Sequence, residues 1–433
     1  MRTLVMVMPY RALVEKARAE GFSVHAVWDR RVAEGIFHDQ AEDYLAAVEA
    51  LADGYALTDF TDPTGFESAL RRMVDRVDAD ALYHVGAEES MLTTYRLAER
   101  WGIAVNPAAA ISHLNDKRAM RRLLADHGVS PVRCAEADDI SAVAGLLAGF
   151  RLPVVVKPID LSGSRAVFLL SDPGELPGYA RMLDAYGYTG PLLVEEYLRG
   201  PEFSVETLSI AGRHQVIGVT RKVLGPAPLF IEAGHLHPVR DDPRTRQIGE
   251  LAVQLLDMAG YRTGPAHTEV LWTQDGPRIV ESQARLGGDR IPRLVQLSTG
   301  VDMERGIFQA LRGEPVPAPA PDAATTVAGI AYFELPVGRI TAISGIDQIR
   351  ALDLVDEISF PFQVGDRVPR TVDWRTRHGH VIATGDSRAS LQRRLERVRE
   401  LVAAGVRVEP ADPTDGRSAA LPVDAAAGTG GAR

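Results

Sequence analysis

Over the first hundred residues, short apolar runs alternate with stretches whose apolar positions recur every three to four residues. Thr3 to Met8, Phe22 to Trp28 and Ala81 to Val85 read as buried strands, while Leu13 to Glu20 and a stretch ending near Trp101 read as helices. Such βα alternation predicts a parallel sheet with helices on its faces. A second unit opens at Asn115-Asp116-Lys117, where Asn115 or Asp116 caps a helix running to His127-Gly128. The strand Pro153 to Lys157 follows and leads through Pro158 into the small-residue loop Asp160 to Ser164. Further strands are predicted at Pro191 to Glu195 and Glu202 to Leu208, and His267 to Thr273 pairs with Arg278 to Gln283 as a hairpin around Gln274-Asp275-Gly276.

A Pro/Ala-rich linker, Pro315 to Pro321, separates this unit from an αβ segment spanning Val327 to Val408, with a helix from Ser390 to Ala404. The last residues are rich in Ala, Gly, Asp and Pro and read as a disordered tail. The fold class is therefore α/β. The expected divisions are 1–113, 114–315 and 316–410, with 411–433 as the tail. No internal repeat is visible.

Composition narrows the class. A chain of 433 residues with 45% hydrophobic and 24% charged residues suits a globular protein of two or three domains. No apolar run approaches the roughly 20 residues that span a bilayer, and the N-terminal apolar stretch is too short for a signal peptide. A net charge of -10 argues against nucleic acid as a partner, because phosphate neutralisation needs a basic face. The single cysteine, Cys134, rules out an intramolecular disulfide framework; it fits a reducing cytoplasm and is expected to be a small buried hydrophobe. Of the 48 Lys and Arg residues only Lys16, Lys117, Lys157 and Lys222 are lysines. Where arginine is the default cation, a retained lysine points to a compact charge, and phosphate contact is one such use.

The hairpin carries the most chemistry. With Gln274 to Gly276 as its loop, counting outward places Glu269 opposite Glu281. Like charges so placed destabilise a sheet by some tenths of a kcal/mol to about 1 kcal/mol. A cation between them is the expected compensation. Gln283 and Arg285 share the face of Glu281, because side chains alternate with period two. Two carboxylates and an amide oxygen suit Mg²⁺, whose remaining ligands are water and phosphate oxygens. Lys157, ending a buried strand beside the Ser162-Gly163-Ser164 loop, forms a plausible phosphate cradle, although no Walker A sequence is present. No His-Glu-x-x-His or Cys set suggests zinc.

Lys117, then Lys157 with its Gly/Ser loop, then Val-Glu-Glu-Tyr-Leu-x-Gly-Pro-Glu over 194–202, then Glu269 and Glu281 about a hairpin: this order resembles the ATP-grasp superfamily. The stretches Gly218 to Lys222, Phe230 to His235 and Glu281 to Asp289 are most similar to L-amino-acid ligases of the bacilysin-synthetase type. The resemblance implies an N-terminal Rossmann-like domain, two nucleotide-binding lobes and a smaller C-terminal lobe. It implies that Lys117, Lys157 and the Ser162, Gly163 and Ser164 loop contact ATP phosphates. Glu195, Glu196, Tyr197 and Leu198 would meet the adenine and Glu202 the ribose, while Glu269, Glu281 and Gln283 would hold Mg²⁺ or Mn²⁺. Arg285 would contact an acyl phosphate with Gly287 and Gly288 beside it, and Glu232, His235 and Glu88 (or Glu89) would line the amino-acid pocket.

The implied activity is ATP-dependent, ADP-forming ligation of a small-molecule carboxylate to an amine, in the cytoplasm, with a homodimer as the family expectation. Gln283 departs from the Asn usual at that position, and Ala284 replaces the usual Pro. Two other readings are an ATP-grasp carboxylase or purine-pathway ligase, and a non-catalytic nucleotide-binding regulator. Glu232-x-x-His235 and the lack of a biotin-accepting Met-Lys-Met segment speak against the first.

Overall fold

The computed structural model describes residues 2–86, 88–161, 163–225, 228–239, 242–315, 326–353 and 355–410, without the side chains of Glu88 and Glu89. Ser162, most of the Pro/Ala linker and the 411–433 tail lie outside the described residues.

The N-terminal sheet consists of β1 (Arg2–Val7), β2 (Phe22–Asp29), β3 (Gly54–Thr58) and β4 (Ala81–His84), all parallel, in the order β3-β2-β1-β4. Leu4 to Val7 are fully buried, as expected for a central parallel strand covered on both faces. The helix Met303–Leu311, far along the chain, contributes Ile307 and Phe308 to this core, and the Phe308 ring lies 5.8 Å from that of Phe22.

A second, antiparallel sheet holds β5 (Cys134–Ala137), β6 (Val154–Pro158), β7 (Phe168–Leu170) and β8 (Leu192–Glu196) in the order β5-β8-β6-β7. Cys134 corrects the sequence expectation. It begins the edge strand and is exposed, because only one side of β5 has a strand partner.

The largest sheet contains β9 (Glu202–Ile210), β10 (Arg213–Leu224), β11 (Glu232–His237), β12 (Gly264–Thr273), β13 (Gly276–Gln283), β14 (Val327–Tyr332), β16 (Val355–Ser359) and β18 (His380–Gly385). Its order is β13-β12-β9-β10-β11-β14-β18-β16, and every neighbouring pair is antiparallel. Strands on both sides of the Pro/Ala linker therefore join one sheet, through the pairing of β11 with β14. The remaining strands, β15 (Gly338–Ile343), β17 (Arg367–Val368) and β19 (Val406–Pro410), form a small sheet in the order β17-β15-β19. The helix Arg388–Gly405 packs Leu391, Leu395, Val398 and Val402 into the C-terminal core.

Register in the β12–β13 hairpin differs from the counted one in an instructive way. The loop is two residues long, since Thr273 pairs with Gly276 rather than Pro277. A bulge then intervenes: Val270 pairs with Ile279, Glu269 with Glu281, and Val280 is the extra residue. The shorter turn and the bulge offset each other, so the Glu269–Glu281 pairing stands although the expected loop does not. Arg121, on the helix Lys117–Asp126, donates to the Ile279 carbonyl at 2.7 Å and to that of Val280 at 3.1 Å, satisfying the backbone at the irregularity.

Candidate active site

Five adjacent strands each bring polar side chains to one place. In sheet order, β13 supplies Glu281 and Gln283, β12 supplies Glu269, β9 supplies Glu202, β10 supplies Lys222 and β11 supplies Glu232 with His235. All of them line a cavity of about 880 Å³ that also reaches Lys157, Gly163 and Ser164 of the lobe built on β5–β8, here called the smaller lobe, and Trp374 and Arg377 from the C-terminal segment. Helix ends fix the frame. The Asp116 carboxylate accepts from the Arg118 and Ala119 amides, capping Lys117–Asp126, and Asn115 Oδ1 accepts from Ala284 N at 2.8 Å, just beyond Gln283.

Lys222 is the centre of the carboxylate group. Its buried Nζ lies 2.6 Å from Glu269, 2.7 Å from Glu202 and 3.4 Å from Glu232. Its pKa is raised well above the ordinary lysine value, because attraction to these carboxylates outweighs burial. Burial pushes the Glu202 carboxyl up to about 7, with Glu269 adding to the rise against the pull of Lys222. Glu269 is held below the ordinary range: burial opposes its ionisation, but Lys222 and His267 prevail. His267 sits between Glu206 (2.9 Å) and Glu269 (3.3 Å); burial would lower its pKa, yet the two carboxylates raise it to about 10, so it is an imidazolium at neutral pH.

The smaller lobe holds a second buried cluster of the opposite sign. Glu195 accepts from Arg121 Nε at 2.5 Å and pairs with Lys157 Nζ at 2.7 Å. These two cations bring the Glu195 pKa down to about 2 against the effect of burial. The Glu195 side chain is thereby committed to Arg121 and Lys157, and its neighbours Glu196, Tyr197 and Leu198 line the cavity. Glu196 accepts from Arg133 N at 2.7 Å.

Lys117 lies one layer back. It is absent from the cavity wall, and its Nζ donates to the Leu161 carbonyl at 2.9 Å and stands 3.7 Å from Glu281. Protein charges flank both carboxylates, with Lys222 and His267 on Glu269 and Lys117 beside Glu281. Among the described residues no group of three His, Cys, Asp or Glu side chains is arranged as a metal site. An oxygen-rich set nevertheless fits a hard cation. Gln283 donates its amide N–H to Glu281 at 2.7 Å, and its buried Oε1 has no hydrogen-bond partner, which leaves one amide oxygen and two carboxylates as available donors.

His235 Nε2 lies 2.9 Å from Asp289, and Glu232 and Asp289 are bridged by Arg377, whose guanidinium sits 3.9 Å from the Tyr332 ring centroid. Arg285, Gly287 and Gly288 line the cavity. Arg285 lies across Gly86 of the N-terminal domain: with φ +146° there, a Cβ would come within 3.0 Å of Arg285 Cδ. Glu88 opens the helix Glu88–Arg100, and its side chain is outside the description. Sequence reasoning did not single out Lys222, Arg121, Arg377 or Trp374 as site residues. Lysine scarcity was an available signal for Lys222; the arginines and Trp374 had none.

Comparison with known proteins identifies the domains that carry this cavity. Residues 150–293 match the model of the ATP-grasp domain, and residues 331–407 match the L-amino acid ligase C-terminal domain 2. The chain carries an ATP-grasp domain. Dapdiamide A synthase of Enterobacter agglomerans is 24% identical to this ATP-grasp protein over 302 residues, covering 66% of the chain and 71% of the relative. Alanine–anticapsin ligase of Bacillus subtilis is 24% identical over 241 residues, half of each chain. Among solved structures, the L-amino acid ligase from Bacillus licheniformis superposes with a TM-score of 0.72 at 20% identity, covering 95% of this chain and 99% of the other. At that identity the likeness establishes the fold, an α/β ATP-grasp architecture. ATP-grasp enzymes use ATP with a divalent metal, and the matched domains and relatives make this chain similar to L-amino acid ligases. No described helix is long and apolar enough to cross a membrane.

Proposed function

We propose that this chain is an ADP-forming carboxylate–amine ligase that activates an L-amino acid as an acyl phosphate and transfers it to an amine, either of another amino acid or of a specialised-metabolite fragment. The observation that carries this reading is the split of charge across one cavity: Lys157 and Arg121 outnumber Glu195 on the side of the small-residue loop, while on the sheet side the carboxylates of Glu202, Glu206, Glu232, Glu269 and Asp289 outnumber Lys222, His267 and Arg377. Phosphate suits the first side, and an ammonium group or a metal cation suits the second.

Lys157 and the backbone around Gly163 and Ser164 receive the phosphates, and transfer to the substrate carboxylate proceeds by positioning and charge neutralisation. Glu269, Glu281 and Gln283 are the residues that would hold Mg²⁺ or Mn²⁺, which when bound offsets phosphate charge. Glu232, with His235 behind it on Asp289, orients the ammonium of the amino acid. Arg285 stabilises the oxyanion that develops as the amine attacks the acyl carbon and phosphate departs. Exclusion of water from the cavity during the reaction protects the acyl phosphate from hydrolysis.

The test is ATP-dependent phosphate release across an amino-acid panel, with and without hydroxylamine, followed by mass analysis of the products. Hydroxamate that depends on one amino acid supports carboxylate activation and names the acid. Nucleotide binding with no hydroxamate from any amino acid refutes the amino-acid reading.

A further inference from the structure

The loop that leaves Lys157 has an unusual backbone. Gly163, Ser164 and Ala166 all have positive φ, at +67°, +59° and +54°. Two of these are not glycine, and such conformations persist only where surrounding contacts fix them. Three contacts from outside the loop do so. Ser164 Oγ donates to the Phe230 carbonyl at 3.0 Å, Tyr179 OH donates to the Ala166 carbonyl at 2.9 Å, and the Trp374 indole lies directly on Gly163. A Cβ on Gly163 would stand 2.2 Å from Trp374 Cδ1 and 2.5 Å from its Nε1, so the indole occupies the space any side chain there would need.

Trp374 belongs to the C-terminal segment, far in sequence from the loop it covers. Its position is tightly specified. Asp373 is buried and caps the short turn Trp374–Thr376, accepting from the Arg375 and Thr376 amides. The same carboxylate accepts from Tyr186 OH of the smaller lobe at 3.2 Å. Directly after that turn, Arg377 reaches Glu232 and Asp289. One five-residue stretch thus touches the loop, the smaller lobe and the carboxylate side of the cavity.

We infer that Trp374 is a positioning residue for nucleotide binding: its indole holds the Gly163–Ala166 backbone in the conformation that presents N–H groups to the phosphates, so the C-terminal segment completes the nucleotide site. This rests on the reading of the cavity as an ATP site. The test is amide hydrogen exchange over 163–168, with and without a non-hydrolysable ATP analogue and Mg²⁺, in the native chain, Trp374→Ala and Trp374→Phe, together with the Kd of the analogue. The expected result is slowed exchange in the native chain and in Trp374→Phe. In Trp374→Ala exchange of the bound form is about tenfold faster than in the bound native chain and the Kd about tenfold higher, while the N-terminal sheet exchanges as before. Equal slowing in Trp374→Ala overturns the inference.

If Trp374→Ala does not fold, Gly163→Ala disturbs the same contact from the other side and is expected to lose the same protection; retained protection there overturns the inference too. Analogue that protects 269–283 in the native chain but not 163–168 overturns it while leaving the ATP reading intact. Analogue that protects nothing overturns both.

Discussion

Two buried lysine clusters face one another across the cavity, and they are built on opposite arithmetic. Around Lys157, two cations share one carboxylate; around Lys222, the five carboxylates of Glu202, Glu206, Glu232, Glu269 and Asp289 share three cations, Lys222, His267 and Arg377. Burying unbalanced charge is expensive, so each surplus marks where a ligand of opposite sign completes the balance. The surplus positive side adjoins the loop fixed by Trp374, and the surplus negative side adjoins Gln283 with its unpartnered amide oxygen. A single feature of either cluster is ordinary; the contrast between them is what points to a phosphate donor meeting an ammonium and a metal.

Removing the two lysines should test that contrast most severely. Lys222→Met leaves buried Glu202 without its cation, with Glu269 held by His267 alone and Glu232 by Arg377 alone, and is expected to cost about 3–5 kcal/mol in urea unfolding. Next in size, Arg285→Ala should lower amide formation by roughly 10²–10³ while calorimetry finds nucleotide affinity little changed; unchanged product formation refutes its role. Lys157→Met leaves Glu195 paired with Arg121 and should cost less in stability, about 1.5–3 kcal/mol, while weakening nucleotide roughly ten- to hundredfold. If Lys157→Met proves the more destabilising of the two lysine variants, the contrast is wrong.

The smallest effect is an acid dependence. Glu195 is depressed from 4.5 to about 2, so its contribution is complete above about pH 4.5 and is lost as pH falls through the folded value. Thermal melts between pH 7 and pH 3.5 should attribute about 1 kcal/mol of the loss to this residue. Glu195→Gln, less stable at neutral pH, should have a correspondingly shallower acid dependence.

Much of this was legible in the chain, for reasons that differ by element. β1, β2 and β4 announce themselves because buried parallel strands are continuous apolar runs, and Asp116 announces its helix because a cap is local chemistry. The hairpin was half legible: period-two alternation locates Glu269, Glu281 and Gln283, but a bulge has no reliable local signature, and the turn is one residue shorter than counted. Burial of Glu195 under Arg121 and Lys157 was not legible, because it joins residues 74 positions apart. Trp374 and Arg377 were invisible for the same reason: the C-terminal segment reads as a separate lobe, and only the pairing of β14 with β11 brings it to the cavity.

That pairing also governs how the protein can be divided. β11 carries Glu232 and His235, and its outer edge is covered by β14, whose residues come from beyond the linker. A chain ending at 315 would therefore expose a bare row of N–H and C=O groups beside the cavity, a surface that recruits strands from neighbouring molecules. Shortening this protein to its ATP-grasp segment is expected to yield an aggregating fragment, so assays of the isolated segment would measure insolubility before they measured chemistry.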